Sequence, residues 1–471
     1  MNEELLYEAL SRRLEDLIRG GTFSPGDRIP SVRKISREHR VSISTVLEAY
    51  RRLEDSGLIE ARPRSGYYVK AASLPVSHLP ETSRYLRRPI QIGGGSLLEA
   101  LMDTVADPLV IPFAAASPDD SLVPSSKLSS ISNAIFRRLG GAALRYAPPP
   151  GRRELRAAIS RRLIGIGLSA SAEEIVTTQG ATEAIWLALR VTTKPGDLVA
   201  VETPTYFGIL HLIRDLGLRA IEVPVHPREG LVLEALETAL GKHRITACVV
   251  QPNFQNPLGS LMAADRKQRL ADLSKKHDFV IIEDDVYGDL GYDGVRHPSL
   301  ARFGGQVIHC GSVSKTVAPG LRVGWIVPGP FYSEIKRLKR VHAPWNATLS
   351  ELIMAEYLEA GGYDRHLRRV RRLYAVQCAR MRQSVIEHFP ESCRVNAPAG
   401  GFVLWLEMPA GFSAEAFALT AMENGISLLP GPAFSPSGGL KTCLRLSCGF
   451  AFDDRTLDAV ATLGRLAKAR V

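Results

Sequence analysis

From Val110 onward, short apolar runs alternate with stretches of helical period, and few architectures accept that pattern. The runs at Ile175–Thr178, Leu198–Glu202, Ala247–Pro252, Val280–Asp284, Val307–Cys310 and Gly324–Val327 read as strands covered on both faces. Strands of that kind belong to mostly parallel sheets, whose crossovers are usually helices. The expectation is an α/β fold with helices on both faces of the sheet. Past Pro344 come long helical patterns, and from Val395 a small α+β portion, 395–471.

Residues 1–70 read as three helices and a hairpin. Leu6, Leu10, Leu14, Leu17 and Ile18 form an apolar stripe of helical period. Gly and Pro in GTFSPGDRIP break it, and a second helix starts after Pro30. Ser42 is the expected N-cap of a third helix with Val46, Ala49, Tyr50 and Leu53 inside. Two strands, Leu58–Arg62 and Tyr67–Val69, then flank the turn Pro63-Arg64-Ser65-Gly66. A chain of 471 residues exceeds one ordinary core. The expected division is a domain over 1–70, a Pro- and Gly-bearing linker over 71–96, and a large domain over 97–471.

Several classes are disfavoured. No apolar run approaches the length of a membrane span, and the acid-bearing N-terminus is neither a signal nor a transit peptide. The six cysteines are scattered, with no C-x-x-C pair and no zinc spacing. A reducing cytoplasm and no metal are expected. The net charge of +10 is spread along the chain, so a DNA inference rests on local placement.

Two helices, a short turn and a hairpin form the layout of a winged helix-turn-helix, whose second motif helix enters the major groove of double-stranded DNA. Ser42, Ser44 and Thr45 stand at that helix's N-terminal end, with Leu47 next on the exposed side. Arg33, with Lys34, Arg37 and Arg40 near it, and Arg62 and Arg64 at the wing are placed for phosphates. Gly66 lets the wing backbone approach the minor groove. The stretch Gly26–Val69 resembles the N-terminal domain of GntR-type regulators. Where that family often carries a base-contacting arginine, this chain has Ile43. Reading through Ser44, Thr45, water and DNA shape is then expected.

The second constellation is Gly311-Ser312-Val313-Ser314-Lys315-Thr316-Val317-Ala318-Pro319-Gly320-Leu321-Arg322-Val323-Gly324-Trp325. A lysine that condenses with an aldehyde needs a partly desolvated amine near other cations. Arg322, seven residues on, supplies that field and a planar fork for a phosphate. Ser312 and Ser314 can donate to the same phosphate. The turn Gln179-Gly180-Ala181-Thr182 feeds a helix N-terminus, an anion site. In Ile281–Tyr287 a carboxylate closes a strand, where open α/β sheets bind ligands.

S-x-S-K-x-x-x-P-G-x-R-x-G-W resembles the pattern of fold-type I aminotransferases, and above all the MocR subfamily of GntR-type regulators. The resemblance implies pyridoxal 5′-phosphate held by Lys315. It implies Ala181 and Thr182 on the phosphate through backbone N–H groups, and Asp284 on the pyridine nitrogen, with Asp285 as competitor. It further implies Tyr287 and Asn256 at the ring oxygen and Tyr206 on the ring face. Leu258 departs from the family's usual threonine. Tyr146, in Leu144–Gly151, would reach the phosphate of a neighbouring subunit and so imply a homodimer. Arg445, in Cys443–Ser447, would clamp a substrate carboxylate, a structural salt bridge being the alternative. The basic run His366–Arg372 reads as a solvated helix face, with a second DNA patch as the alternative.

The expected function is a DNA-binding, pyridoxal-phosphate-binding transcription regulator. It would respond to a B6 form, amino acid or amine through imine exchange at Lys315. The alternative is a catalytically active aminotransferase carrying a DNA-binding domain.

Overall fold

The computed structural model describes residues 6–19, 23, 27–56, 58–62, 65–69, 78–83, 88–92, 96–103, 107 and 109–471. The chain divides into two compact units, Met1–Val76 and Ser77–Val471.

In the first unit, α1 (Leu6–Arg19) packs on α3 (Ile43–Asp55), and α2 (Val32–His39) precedes the turn into α3. Ser31 and Ser42 cap α2 and α3, each side chain accepting a first-turn backbone N–H. Arg40 ends α2 in the left-handed conformation, its N–H donating to the Ser36 carbonyl. Leu10, Leu14, Ile35, Val46, Tyr50 and Leu53 form the core, closed by Ile59 and Val69 of the hairpin β1 (Ile59–Arg62) and β2 (Gly66–Val69). Leu6 and Leu17, expected on the inner stripe, are exposed; α1 meets this core through the middle of its stripe.

The second unit is built on β3 (Val176–Thr178), β4 (Leu198–Thr203), β5 (Arg219–His226), β6 (Gly230–Leu231), β7 (Ala247–Val250), β8 (Val280–Asp284), β9 (Val307–Ser312) and β10 (Gly324–Val327). Their order is β3-β10-β9-β8-β7-β4-β5-β6. The run from β9 to β5 is parallel, and β10 is antiparallel to both neighbours. One apolar layer pairs the sheet with the helix Ala181–Thr192, and the opposite layer packs Leu236 and Leu270 against it. β5 was not expected as a strand. Glu222 and Pro224 interrupt its apolar run, and Glu222 is buried because Ser435 and Ser437 donate to it.

The long helix Gly362–His388 leads to a four-stranded antiparallel sheet, Arg394–Val395, Val403–Glu407, Cys443–Ser447 and Leu429–Pro430 in spatial order. On that helix Arg368, Arg369 and Arg372 are exposed. His366 is buried against the Thr316 carbonyl, and Arg371 donates to the carbonyls of Asp289 and Gly294.

The expected linker, 71–96, lies partly outside the described residues. Its described part is seated on the large unit. Ile90 pairs with Ala220, the Ser83 hydroxyl donates to the Thr203 carbonyl at 2.5 Å, and the Glu81 N–H donates to Glu407 at 2.7 Å. Prolines and glycines mark the segment as a linker; the contacts that seat it reach across the sequence and leave no local signature.

Candidate functional site

Parallel strands put their C-terminal ends on one rim, and β4, β7, β8 and β9 end there side by side. The loops that follow enclose a cavity of about 260 Å³. Ala181, Thr182, Tyr206, Asn256, Asp284, Tyr287, Ser312, Ser314, Lys315 and Arg322 all line it.

Lys315 follows β9 and donates from Nζ to the Ala116 carbonyl at 2.5 Å. Burial first, then the Arg445 and Arg322 guanidinium groups, push its ammonium down to about 8, with Asp284 opposing. At pH 7 about a tenth of such an amine is neutral, against roughly one part in three thousand at the ordinary value. That fraction gives the side chain usable nucleophilicity.

Asp284 closes β8 and is buried. Burial pushes its carboxyl up to about 6, although Gln251 Nε2 donates to Oδ2 at 2.6 Å and the Val286 N–H donates to Oδ1. A bound cation facing this carboxylate would reverse that shift. Its rival Asp285 is engaged elsewhere: Asn253 and Arg296 donate to it, and it does not line the cavity.

At the other end, Gly180 precedes the first turn of Ala181–Thr192 with φ +93°. Arg322, itself left-handed at φ 53°, donates from Nη2 to the Gln179 carbonyl at 2.5 Å. The Ser312 and Ser314 hydroxyls lie 2.9 Å apart beside it. The first turn of a helix, a guanidinium and two hydroxyls thus line one cavity, groups of the kind that bind anions. A Cβ on Gly180 would stand 2.6 Å from Arg322 Nη2. Gly180→Ala is expected to shift Arg322 and to cost about 1–2 kcal/mol of stability from the positive φ. Phosphate-bearing ligands should bind more weakly. Thermal denaturation and cofactor titration check both effects.

Arg445 is buried and donates to the Ala114 carbonyl, and burial pushes its guanidinium down to about 10. Among the described residues it has no ion pair, so the structural salt bridge is not the arrangement found. Among the described residues its Nε has no hydrogen-bond partner, nor do Tyr287 Oη and Asn256 Oδ1, although all three are buried. Unpaired polar atoms of that kind are costly unless a ligand meets them.

Tyr146 does not line the cavity of its own chain. It is 76% exposed and stacks on Trp345 at 4.9 Å between ring centroids.

In the first unit, Arg33 and Ser44 are exposed and Thr45 is half-buried. Ser42 acts as the α3 cap, accepting the Thr45 N–H at 3.0 Å. Arg62 pairs with Glu60 at 2.8 Å and lies over the Tyr68 ring at 4.4 Å. Gly66 has φ +112° with the Arg28 guanidinium beside it. Arg64 lies outside the described residues.

Two contributors were missed. Gln251 holds Asp284 through its amide nitrogen and accepts the Asn256 N–H through its amide oxygen at 3.0 Å, so it fixes two cavity residues at once. Arg28 pairs with Tyr68 of the wing by strand bridging, which local sequence does not signal.

Among the described residues no group of His, Cys, Asp or Glu is placed to hold a metal ion, and no helix is long and apolar enough to cross a membrane.

Together the fold and cavity define an aminotransferase-type domain carried on the same chain as a winged helix-turn-helix. Residues 110–462 match the aminotransferase class I and II family, and residues 6–69 match the bacterial regulatory proteins of the gntR family. The uncharacterized HTH-type transcriptional regulator YjiR of Escherichia coli is 35% identical over 97% of this chain and 98% of its own length. The 2-aminoadipate transaminase of Thermus thermophilus is 32% identical over 79% of this chain and 94% of its own. A crystal structure of LysN, an α-aminoadipate aminotransferase from that organism complexed with N-(5′-phosphopyridoxyl)-L-leucine, superposes with a TM-score of 0.74. It is 30% identical and covers 80% of this chain and 96% of that one. The chain belongs to the MocR subfamily of GntR-type regulators, a DNA-binding domain fused to an aminotransferase-like domain. Pyridoxal 5′-phosphate is the cofactor this fold implies. The unpaired Tyr287 hydroxyl, the desolvated lysine, and the guanidinium and hydroxyls lining the cavity all fit it.

Proposed function

We propose that this chain is a transcription regulator whose grip on operator DNA answers to a small amine or amino acid admitted at Lys315. The observation that carries the reading is a buried Arg445, with no ion pair among the described residues, whose charge acts on a largely desolvated lysine, in a chain that also bears a winged helix-turn-helix. When bound, pyridoxal 5′-phosphate supplies an aldehyde for amines and an electron-withdrawing ring.

Arg322, Ser312, Ser314 and the N–H groups of Ala181 and Thr182 hold the phosphate. Asp284 would keep a proton on the ring nitrogen, Tyr287 and Asn256 would meet the ring oxygen, and Tyr206 would cover a ring face. Arg445 would pair with the effector's carboxylate, and Lys315 is the amine with which an incoming amine would compete for the aldehyde. Tyr146 reaches a second copy of the chain, so the working form is a homodimer, matching the two half-sites of a symmetric operator. Arg33, Arg62 and Arg64 contact phosphates, Gly66 brings the wing backbone to the minor groove, and Ser42, Ser44 and Thr45 set the head of the recognition helix. The setting is the cytoplasm.

Titrating amines and amino acids into the cofactor-loaded chain on DNA tests the reading by fluorescence anisotropy. At least one carboxylated amine is expected to change affinity by about 5-fold to 150-fold, and Arg445→Ala should erase that change. No response to any amine, amino acid or B6 form would sink the sensing role. A working aminotransferase is the second reading, favoured by Asp284, Tyr287 and Arg322 lining one cavity with Lys315. Multiple-turnover assays separate the two; rates no faster than free cofactor exclude the enzyme.

A further inference from the structure

The recognition helix begins at Ile43, and its hydroxyl groups are occupied with one another. Ser42 Oγ lies 2.7 Å from both Ser44 Oγ and Thr45 Oγ1, and also caps the helix. Beside the exposed Ser44 and Glu48, the first two turns also offer aliphatic side chains. Ile43 is 51% exposed and Leu47 is 44% exposed, each a large side chain left in water. At a spacing of four residues they stand one above the other on the same flank. The helix has its own buried face in Val46, Ala49, Tyr50 and Leu53, so the pair is not needed for the core. A lone exposed aliphatic is ordinary; this pair stands at the end of the helix that the helix-turn-helix layout turns toward base edges.

In the major groove, thymine alone of the four bases presents a methyl group at its edge, and aliphatic side chains read it by contact. We propose that Ile43 and Leu47 form an aliphatic reader of thymine 5-methyl groups, so that thymines occupy the operator positions facing the first two turns of this helix. The inference rests on the DNA-binding reading above and deepens it, replacing the expectation that hydroxyl groups supply the direct contacts.

The test uses the full chain loaded with pyridoxal 5′-phosphate. Duplexes enriched by the chain from a random DNA pool are resynthesised with deoxyuridine in place of thymidine, which removes only the methyl groups. Affinities for the two forms and for unselected DNA are measured at one salt concentration. Loss of affinity is expected at about fourfold for each contacted methyl removed. Ile43→Ala/Leu47→Ala should bind the two forms alike. Alanine is the strongest helix former, so the double variant keeps its fold, as an unchanged melting curve would verify. Equal binding of the thymidine and deoxyuridine forms by the wild-type chain, both still preferred over unselected DNA, overturns the inference and leaves the DNA-binding reading standing. Failure to enrich any duplex overturns the DNA-binding reading and the inference with it.

Discussion

Lys315→Ala is expected to abolish the visible absorbance that the wild-type chain acquires with pyridoxal 5′-phosphate. Nζ of Lys315 is the desolvated amine that the cavity offers to an aldehyde. Wild-type protein at a hundredfold excess of ligand over Kd should gain about 2.7 kcal/mol of stability. The variant should gain little at the same cofactor concentration. The cofactor-free fold should be almost unaffected, because alanine removes a buried cation whose hydrogen bond runs to the Ala116 carbonyl alone among the described residues. Spectra and thermal scans with and without cofactor read both effects. A variant that keeps the visible band would remove Lys315 from the centre of the site.

The second large effect has opposite signs in the empty and loaded protein. Asp284→Asn is expected to stabilise the cofactor-free chain at pH 7 and to weaken cofactor binding. Burial lifts the Asp284 carboxyl from 3.8 to about 6, so the folded chain holds this proton more tightly than the unfolded chain. Its contribution to stability is therefore fully present below about pH 4 and is lost as the pH rises to about 6, a change on the order of 3 kcal/mol. Asparagine carries no such penalty, and its oxygen can still accept from Gln251. Melting curves should place the variant above wild type at pH 7, with the gap closing toward pH 4. Cofactor affinity at pH 7 should fall roughly ten- to a hundredfold with the loss of a charged hydrogen bond. Identical melting at both pH values would show that Asp284 is not desolvated as described.

Local sequence carried the sheet wherever its strands are apolar on both faces, because nothing but burial explains such runs. It failed at Arg219–His226, where a buried Glu222 is reconciled with the interior by serines more than two hundred residues away. The spacing from Lys315 to Arg322 was legible as a motif. The need for glycine at position 180 was not, since it arises from the approach of the Arg322 guanidinium. Gln251 looked like one polar residue in a turn, and only the folded chain joins its two amide atoms to Asp284 and Asn256. Arg445 was recognisable as a guanidinium in a strand. Its lack of an acidic partner is a property of the surroundings, to which distant segments contribute.

The contacts of Glu81 and Ser83 set a mechanical limit. The first is fastened to Glu407 of the C-terminal sheet and the second to Thr203 at the rim of the large sheet. Two residues of chain span at most about 7 Å, so separating the two sheets at that point requires one of these hydrogen bonds to break. One short stretch of chain thus stitches the C-terminal sheet to the rim of the large sheet through two hydrogen bonds.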